Sequence, residues 1–217
     1  MTRIEVCLKC KGMKNLHRTD MYGWSQFDTS RNMDFNSVLW VTSNGNVAID
    51  PMPLTEHDSR HLEQLGSVQH IIVTNSDHIR DTVRLRERTG AMIYAPAAEQ
   101  DTFTTPVDHY LKAGQEPLPG LVVYEMNGSK TAGELALLID GTTLVTGDLI
   151  RAHSGGQLDI LPESKLTDRK AAVDSIHKLS KLDGIIAVLT GDGWPVFRDG
   201  SARLKELAAR LDPNSNR

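Results

Sequence analysis

Cysteine is nearly absent from this 217-residue sequence: there are two, Cys7 and Cys10. A small secreted domain held by disulfides is therefore excluded. Cys7-Leu8-Lys9-Cys10 is a C-x-x-C, but a structural zinc needs four ligands. Neither a second C-x-x-C nor a nearby histidine pair completes it, so the expectation is two thiols in a terminal segment. No apolar run approaches the roughly 18 residues that span a bilayer, and the N-terminus lacks the apolar centre of a secretory signal. A cytoplasmic protein is expected. Charge of one sign is also scarce. The formal net charge is −4, so neither nucleic acid nor an anionic membrane surface is an expected partner.

Several catalytic signatures are missing as well. There is no G-x-S-x-G elbow and no cysteine beside a plausible base, which leaves covalent hydrolase chemistry unsupported. Gly128-Ser-Lys-Thr131 ends like a phosphate-binding loop, but Ser129 and Tyr124 stand where that motif needs glycine. His57 and His61 are four apart on a predicted helix without the glutamate of H-E-x-x-H, so a solvated face is expected. Arg80, Arg84 and Arg88, with Asp81 and Glu87 between them, read as another solvated stripe.

What is present is an alternation of short strands and helices without long linkers. Ser37–Thr42 and Val47–Asp50 flank Asn44-Gly45 and predict a β-hairpin. Thr55 is placed to cap a helix running to Leu65, with Gly66 as its stop. Val68–Val73 predicts a strand buried on both faces, Ile79–Thr89 a helix, and Ala91–Ala95 another strand. In the second half Leu121–Met126, Glu134–Ile139, Thr143–Thr146 and Ile185–Leu189 predict strands. Thr167 is the expected cap of a helix whose Ala172, Val173, Ile176 and Leu179 share a face, and a last helix aligns Leu204, Leu207, Ala208 and Leu211. Hairpins mixed with strand-helix-strand units predict an α/β protein with sheets inside and helices outside. Residues 1–14 read as an N-terminal extension and 15–217 as a single domain. Tyr22-Gly-Trp24 with Phe27 is the stretch available for a homodimer contact.

Three carboxylates sit in turns after apolar strands: Asp77 after Ile71–Val73, Asp148 after Thr143–Gly147, and Asp192 after Ile185–Gly191. Such loops are where sheet proteins place ligand and catalytic groups. Taken one at a time, each Asp is equally at home making Asx hydrogen bonds in its own turn.

Taken in order, Asp77-His78, Gly128-Ser-Lys-Thr-Ala-Gly-Glu134, Thr146-Gly-Asp148 and Gly191-Asp-Gly193 resemble the metallo-β-lactamase superfamily. That family has a Thr-His-x-His-x-Asp-His loop, a Gly-His-Thr-x-Gly loop, a Thr-Gly-Asp turn and a late Gly-His turn. The hairpin ending in Ile49-Asp50-Pro51 is similar to the family's opening hairpin. The resemblance runs from about Trp24 to the C-terminus and implies a four-layer α/β/β/α sandwich with the site at one edge. It departs at the ligands. Lys130 stands where the third-motif histidine belongs and Asp192 where the last one belongs, and the first two histidines are missing. Aligning instead from Thr74 puts Asn75 and Asp77 in the histidine places. Either way a full two-zinc site is not expected.

Three converging carboxylates need a cation, since like charges at short range raise one another's pKa. Two readings stay open. In the first, one divalent ion (zinc, manganese or iron) is held by Asp77, His78, Asp148 and Asp192. Asp77, Lys130 and Asp148 then form the catalytic group of a hydrolase of a small ester, thioester or phosphoester, as the resemblance implies. In the second, no metal binds, Lys130 neutralises the carboxylates, and the pocket takes a small molecule or a partner without hydrolysis. Arg80, at the rim, Arg151 and His153, in an expected glycine-rich loop just past Asp148, and Trp194, after Gly193, are the candidate substrate-binding residues.

Overall fold

The computed structural model describes residues 12–212, so Cys7 and Cys10 lie outside the described residues. Strands β1 (Lys14–Asn15), β2 (Met21–Asp28), β3 (Met33–Trp40) and β4 (Asn46–Ile49) form an antiparallel meander. Helix α1 (Glu56–Leu65), β5 (Val68–Ile72), α2 (Thr82–Thr89), β6 (Met92–Pro96) and β7 (His109–Leu111) follow, with β4 to β7 all parallel. These seven strands make one sheet in sequence order. A second sheet, in the order β13-β10-β9-β8, contains β8 (Leu121–Met126), β9 (Glu134–Ile139), β10 (Thr143–Thr146) and β13 (Ala187–Thr190). Strands β11 (Ile150–Ser154) and β12 (Gln157–Ile160) pair as a ribbon, and α3 (Arg169–Ser180) and α4 (Gly200–Leu211) complete the chain.

Three apolar layers hold this together. Met21, Val38, Trp40, Ile49 and Ile72 of the first sheet meet Leu135, Leu137, Ile139 and Leu189 of the second. Leu62, Leu85, Ile71 and Ile93 pack α1 and α2 on the outer face of the first sheet. Ile176, Leu179, Leu204 and Leu207 pack α3 and α4 on the outer face of the second. The layering is α/β/β/α, as the alternation of 2-residue and 3.6-residue apolar periods requires.

Local chemistry explains most boundaries. Thr55 and Asp58 form the reciprocal cap that starts α1. Asp140 and Gly141, both left-handed, turn β9 into β10. Four expectations need correction. The helix expected from Ile79 begins at Thr82, because Arg80 is left-handed (φ 43°) and breaks the run. The cap of α3 is Asp168, whose carboxylate accepts from Ala171 N, while the Thr167 hydroxyl donates to Ser129 O. His61 is buried edge-on against Tyr22 and is not on a solvated face. Arg151 and His153 lie on β11, not in a glycine-rich loop. Tyr22 and Trp24 are core residues of this chain, and Phe27 alone of that aromatic stretch is exposed.

Candidate functional site

Four carboxylates follow the C-terminal ends of parallel strands: Asp50 after β4, Asp77 after β5, Asp148 after β10 and Asp192 after β13. Parallel neighbours end at the same edge, so their loops meet there. Asn36 ties the two sheets together at this edge. Its amide donates to Thr190 O (3.0 Å) and Gly193 O (2.8 Å), and its backbone N–H to Gly191 O (2.9 Å). Gly193 is left-handed (φ 77°), and a Cβ there would overlap the Ala152 carbonyl, so the Asp192 turn requires glycine. A cavity of about 430 Å³ opens over these loops. It is lined by Asp77, His78, Arg80, Lys130, Asp148, Arg151 and Asp192 among others.

Apart from Arg80, the charges in the cavity floor are paired with one another. Lys130, on the β8–β9 loop, places its ammonium 2.8 Å from Asp77 Oδ2 and 3.0 Å from Asp148 Oδ2. The same Asp148 oxygen faces His78 Nε2 at 3.3 Å and accepts from the Asn75 amide at 3.0 Å. His78 Nδ1 is 2.8 Å from Asp50 Oδ2. Burial works against charge on this imidazole, but Asp50 and Asp148 on either side outweigh it and push its pKa up to about 9. His78 is therefore a cation at neutral pH. Burial would raise the Asp148 pKa, yet His78 and Lys130 hold it well below the usual carboxylate range. Lys130 is raised in turn: its own partial burial opposes the charge, and Asp148 and Asp77 override that.

Asp192 has its own partner. Arg151 Nη2 reaches its Oδ2 at 2.5 Å, and His153 Nε2 lies 3.2 Å from Oδ1 while accepting from Arg151 Nε at 3.0 Å. Strand alternation puts Arg151 and His153 on the same side of β11. Arg80 does not extend into solvent from the rim. Its guanidinium is nearly buried and donates to the carbonyls of Asn36 (2.6 Å), Asp50 (3.0 Å) and Gly191 (3.2 Å), with Phe35 stacked 5.6 Å away. His153 and Trp194 lie outside the lining of the main cavity; Trp194 is 60% exposed and covers Gly155.

Four residues of the site lie outside the set of candidate site residues read from the sequence. Asp50 is buried and left-handed (φ 48°), and accepts from Thr74 N and Thr74 Oγ1, both at 2.7 Å. A strained carboxylate at the end of an apolar strand was its only signal. Asn75 caps the short turn Ser76–His78 and reaches Asp148. Glu99 is buried and braces the two flanking loops, accepting from Ser76 N (2.6 Å) and Gly133 N (2.9 Å). Glu134 opens an otherwise apolar strand. It accepts from Ser129 Oγ (2.6 Å) and Leu149 N (2.9 Å), and burial, then the nearby Asp148 charge, pushes its pKa up to about 8.

The donor set fits a metal ion poorly. Asp148 Oδ2 already faces an ammonium, an imidazolium and an amide, Asp192 faces a guanidinium, and both nitrogens of His78 lie against carboxylates. A divalent ion would have to displace these cations. Among the described residues no group of three or more His, Cys, Asp or Glu is arranged to hold one.

Comparisons with known proteins agree with the layering. A metallo-beta-lactamase from Pontibacter korlensis superposes with TM-score 0.70 at 16% identity, covering 92% of this chain and 97% of that one. One from Erythrobacter litoralis gives 0.66 at 13%, covering 91% and 92%. FIM-1 from Pseudomonas aeruginosa, in a mono-zinc form, gives 0.62 at 16%, covering 88% and 90%. At these identities the likeness shows the fold alone. No curated protein sequence matches the chain. The profile of the metallo-beta-lactamase superfamily matches residues 13–211, nearly the whole sequence, and the chain belongs to that superfamily.

Proposed function

We propose that this chain is a metal-independent, non-hydrolytic member of its superfamily that binds a small molecule in the cavity at the sheet edge. The observation that carries this reading is the environment of Asp148, whose Oδ2 lies 3.0 Å from Lys130 Nζ and 3.3 Å from His78 Nε2. Converging carboxylates require positive charge, and these side chains supply it from the chain itself. Lys130 and His78 pair with Asp50, Asp77 and Asp148, the Arg80 guanidinium adds the third positive charge from a distance, and Arg151 pairs with Asp192. None of these groups is an activated nucleophile. Lys130 is held as an ammonium, both His78 nitrogens lie against carboxylates, and no serine or cysteine is among the described residues that line the cavity.

The rival reading, a mononuclear hydrolase with Asp77, His78, Asp148 and Asp192 as ligands, makes the opposite demand on the same atoms. Dialysis against excess zinc, manganese or ferrous iron, followed by elemental analysis, separates the two. Expected is far less than one ion per chain, unchanged in Asp148→Ala, together with chelator-independent silence on generic esters, thioesters and phosphodiesters. Near-stoichiometric metal that disappears in Asp148→Ala would overturn the proposal and restore the hydrolase.

A further inference from the structure

The floor of the cavity is electrically closed, and its mouth is not. Arg31 and Lys165 line the opening. Lys165, exposed on the turn Glu163–Lys165, has no carboxylate within 4.0 Å among the described residues; its neighbour Glu163 pairs with Arg169. Arg31 meets Asp28 only at 4.0 Å. One oxygen of that carboxylate is already engaged, accepting from Ser30 N (2.8 Å), Ser30 Oγ (2.6 Å) and Arg31 N (3.1 Å). The Arg31 guanidinium is held over the Phe35 ring, 5.6 Å from its centre. Between mouth and floor runs an apolar wall of Met33, Phe35, Met52 and Leu161. Among the lining side chains the five arginines and lysines Arg31, Arg80, Lys130, Arg151 and Lys165 stand against the four carboxylates of Asp28, Asp77, Asp148 and Asp192. The excess lies at the mouth.

We infer that the cavity takes a small anion with one charged head and an apolar body, a carboxylate or a phosphate monoester. Its charged head is held by Arg31 and Lys165, and its body lies along Met33, Phe35, Met52 and Leu161. This rests on the small-molecule binding reading above and names the class of ligand for the same cavity. The apolar wall cannot satisfy a second charge, and the paired floor offers no free cation to a deeper anion. A flat guanidinium over an aromatic ring and an exposed ammonium lining the same cavity suit two or three oxygens on one centre.

Calorimetric titration of the full chain with hexanoate, hexyl phosphate and hexanol tests this. Expected is saturable binding of at least one anion, about tenfold or more tighter than hexanol and weakened by salt. The tighter of the two anions identifies the head group. In the Arg31→Ala/Lys165→Ala double variant the anion should bind about tenfold more weakly or worse, with thermal unfolding unchanged. Equal binding of hexanol and the anions, binding of neither anion, or full affinity in the double variant would overturn the inference. Metal content is read separately, so a metal-loaded chain that still binds hexanoate sinks only the metal-independent reading.

Discussion

His78 makes the stability of this protein depend on pH in an unusual direction. Its folded-state pKa, pushed up to about 9, exceeds the ordinary value of 6.5. The native state therefore keeps a proton that the unfolded chain releases above about pH 6.5, so the stabilisation is complete below that pH and is lost as pH rises through about 9. A displacement of that size corresponds to roughly 3 kcal/mol. Glu134 acts in the same sense. Raised to about 8, it stays protonated in the folded state after the unfolded chain has ionised above its ordinary 4.5. Asp148 acts oppositely: held low by His78 and Lys130, it contributes stability that is lost only as pH falls through the acid range. Together these place the optimum near pH 4, between the ordinary values of Asp148 and Glu134, with a fall of roughly 1.4 to 2.7 kcal/mol per pH unit between about pH 6.5 and 8. Urea unfolding followed by tryptophan fluorescence, at about pH 6 and about pH 9, should show a loss of at least about 3 kcal/mol. In His78→Gln the protein is less stable at pH 6, and the pH 6 to 9 difference shrinks to the part owed to Glu134. Stability that is flat or rising from pH 6 to 9 in the parent would refute the charged His78 and with it the ionic account of the floor.

Removing the ammonium in Lys130→Met leaves Asp148 with His78 and Asn75, so a loss of about 1–3 kcal/mol is expected in urea unfolding at neutral pH, nearly all from the buried Asp148 contact and little from exposed Asp77. Lys130→His exchanges the blocking cation for a ligand beside Asp77, His78 and Asp148; zinc should raise the melting temperature of that variant and leave the parent unmoved. Asp50→Asn keeps a residue that tolerates the left-handed backbone but removes the charge opposite His78. NMR titration should then find the His78 pKa well below about 9, and a pKa that stays there would mean Asp50 is not its main partner. Gly193→Ala drives a Cβ into the Ala152 carbonyl in a left-handed turn, and a lowered unfolding midpoint with loss of anion binding is expected.

The fold was legible because its signals are local. The reciprocal cap at Thr55 and Asp58, the Asp140-Gly141 turn and the apolar alternation of β8 to β10 each lie within a few residues. Strand ends were legible too, and with them the loops carrying Asp77, Asp148 and Asp192. What local pattern did not reveal is who faces whom across the gap between the sheets. His78 meets Asp50 from 28 residues away, Asn75 meets Asp148 from 73, and Arg151 meets Asp192 from 41. Periodicity tells which side of a strand a residue takes and nothing about the partner opposite. Asp50 before Pro51 therefore read as the end of a hairpin strand, and Glu134 as a strand start.

The arginines show the same limit from the other side. Arg80, Arg84 and Arg88 have the spacing of one helical face, yet Arg80 is left-handed and turns its guanidinium inward onto the carbonyls of Asn36 within β3, Asp50 after β4 and Gly191 after β13. Arg84 stays outside, its side chain 79% exposed. A guanidinium among carbonyls, with no carboxylate in contact, adds positive potential to the cavity without closing any ion pair. Burial lowers its pKa from the ordinary arginine value, and the carboxylates of Asp50, Asp148 and Asp192 oppose this from a distance. Substituting Arg80 would remove both a brace between the sheets and part of the field that makes the mouth attractive to an anion. Arg80→Met should then lower stability and anion affinity together, whereas Arg31→Ala lowers affinity alone. That difference follows from where each guanidinium ends, and a sequence spacing of four residues contains none of it.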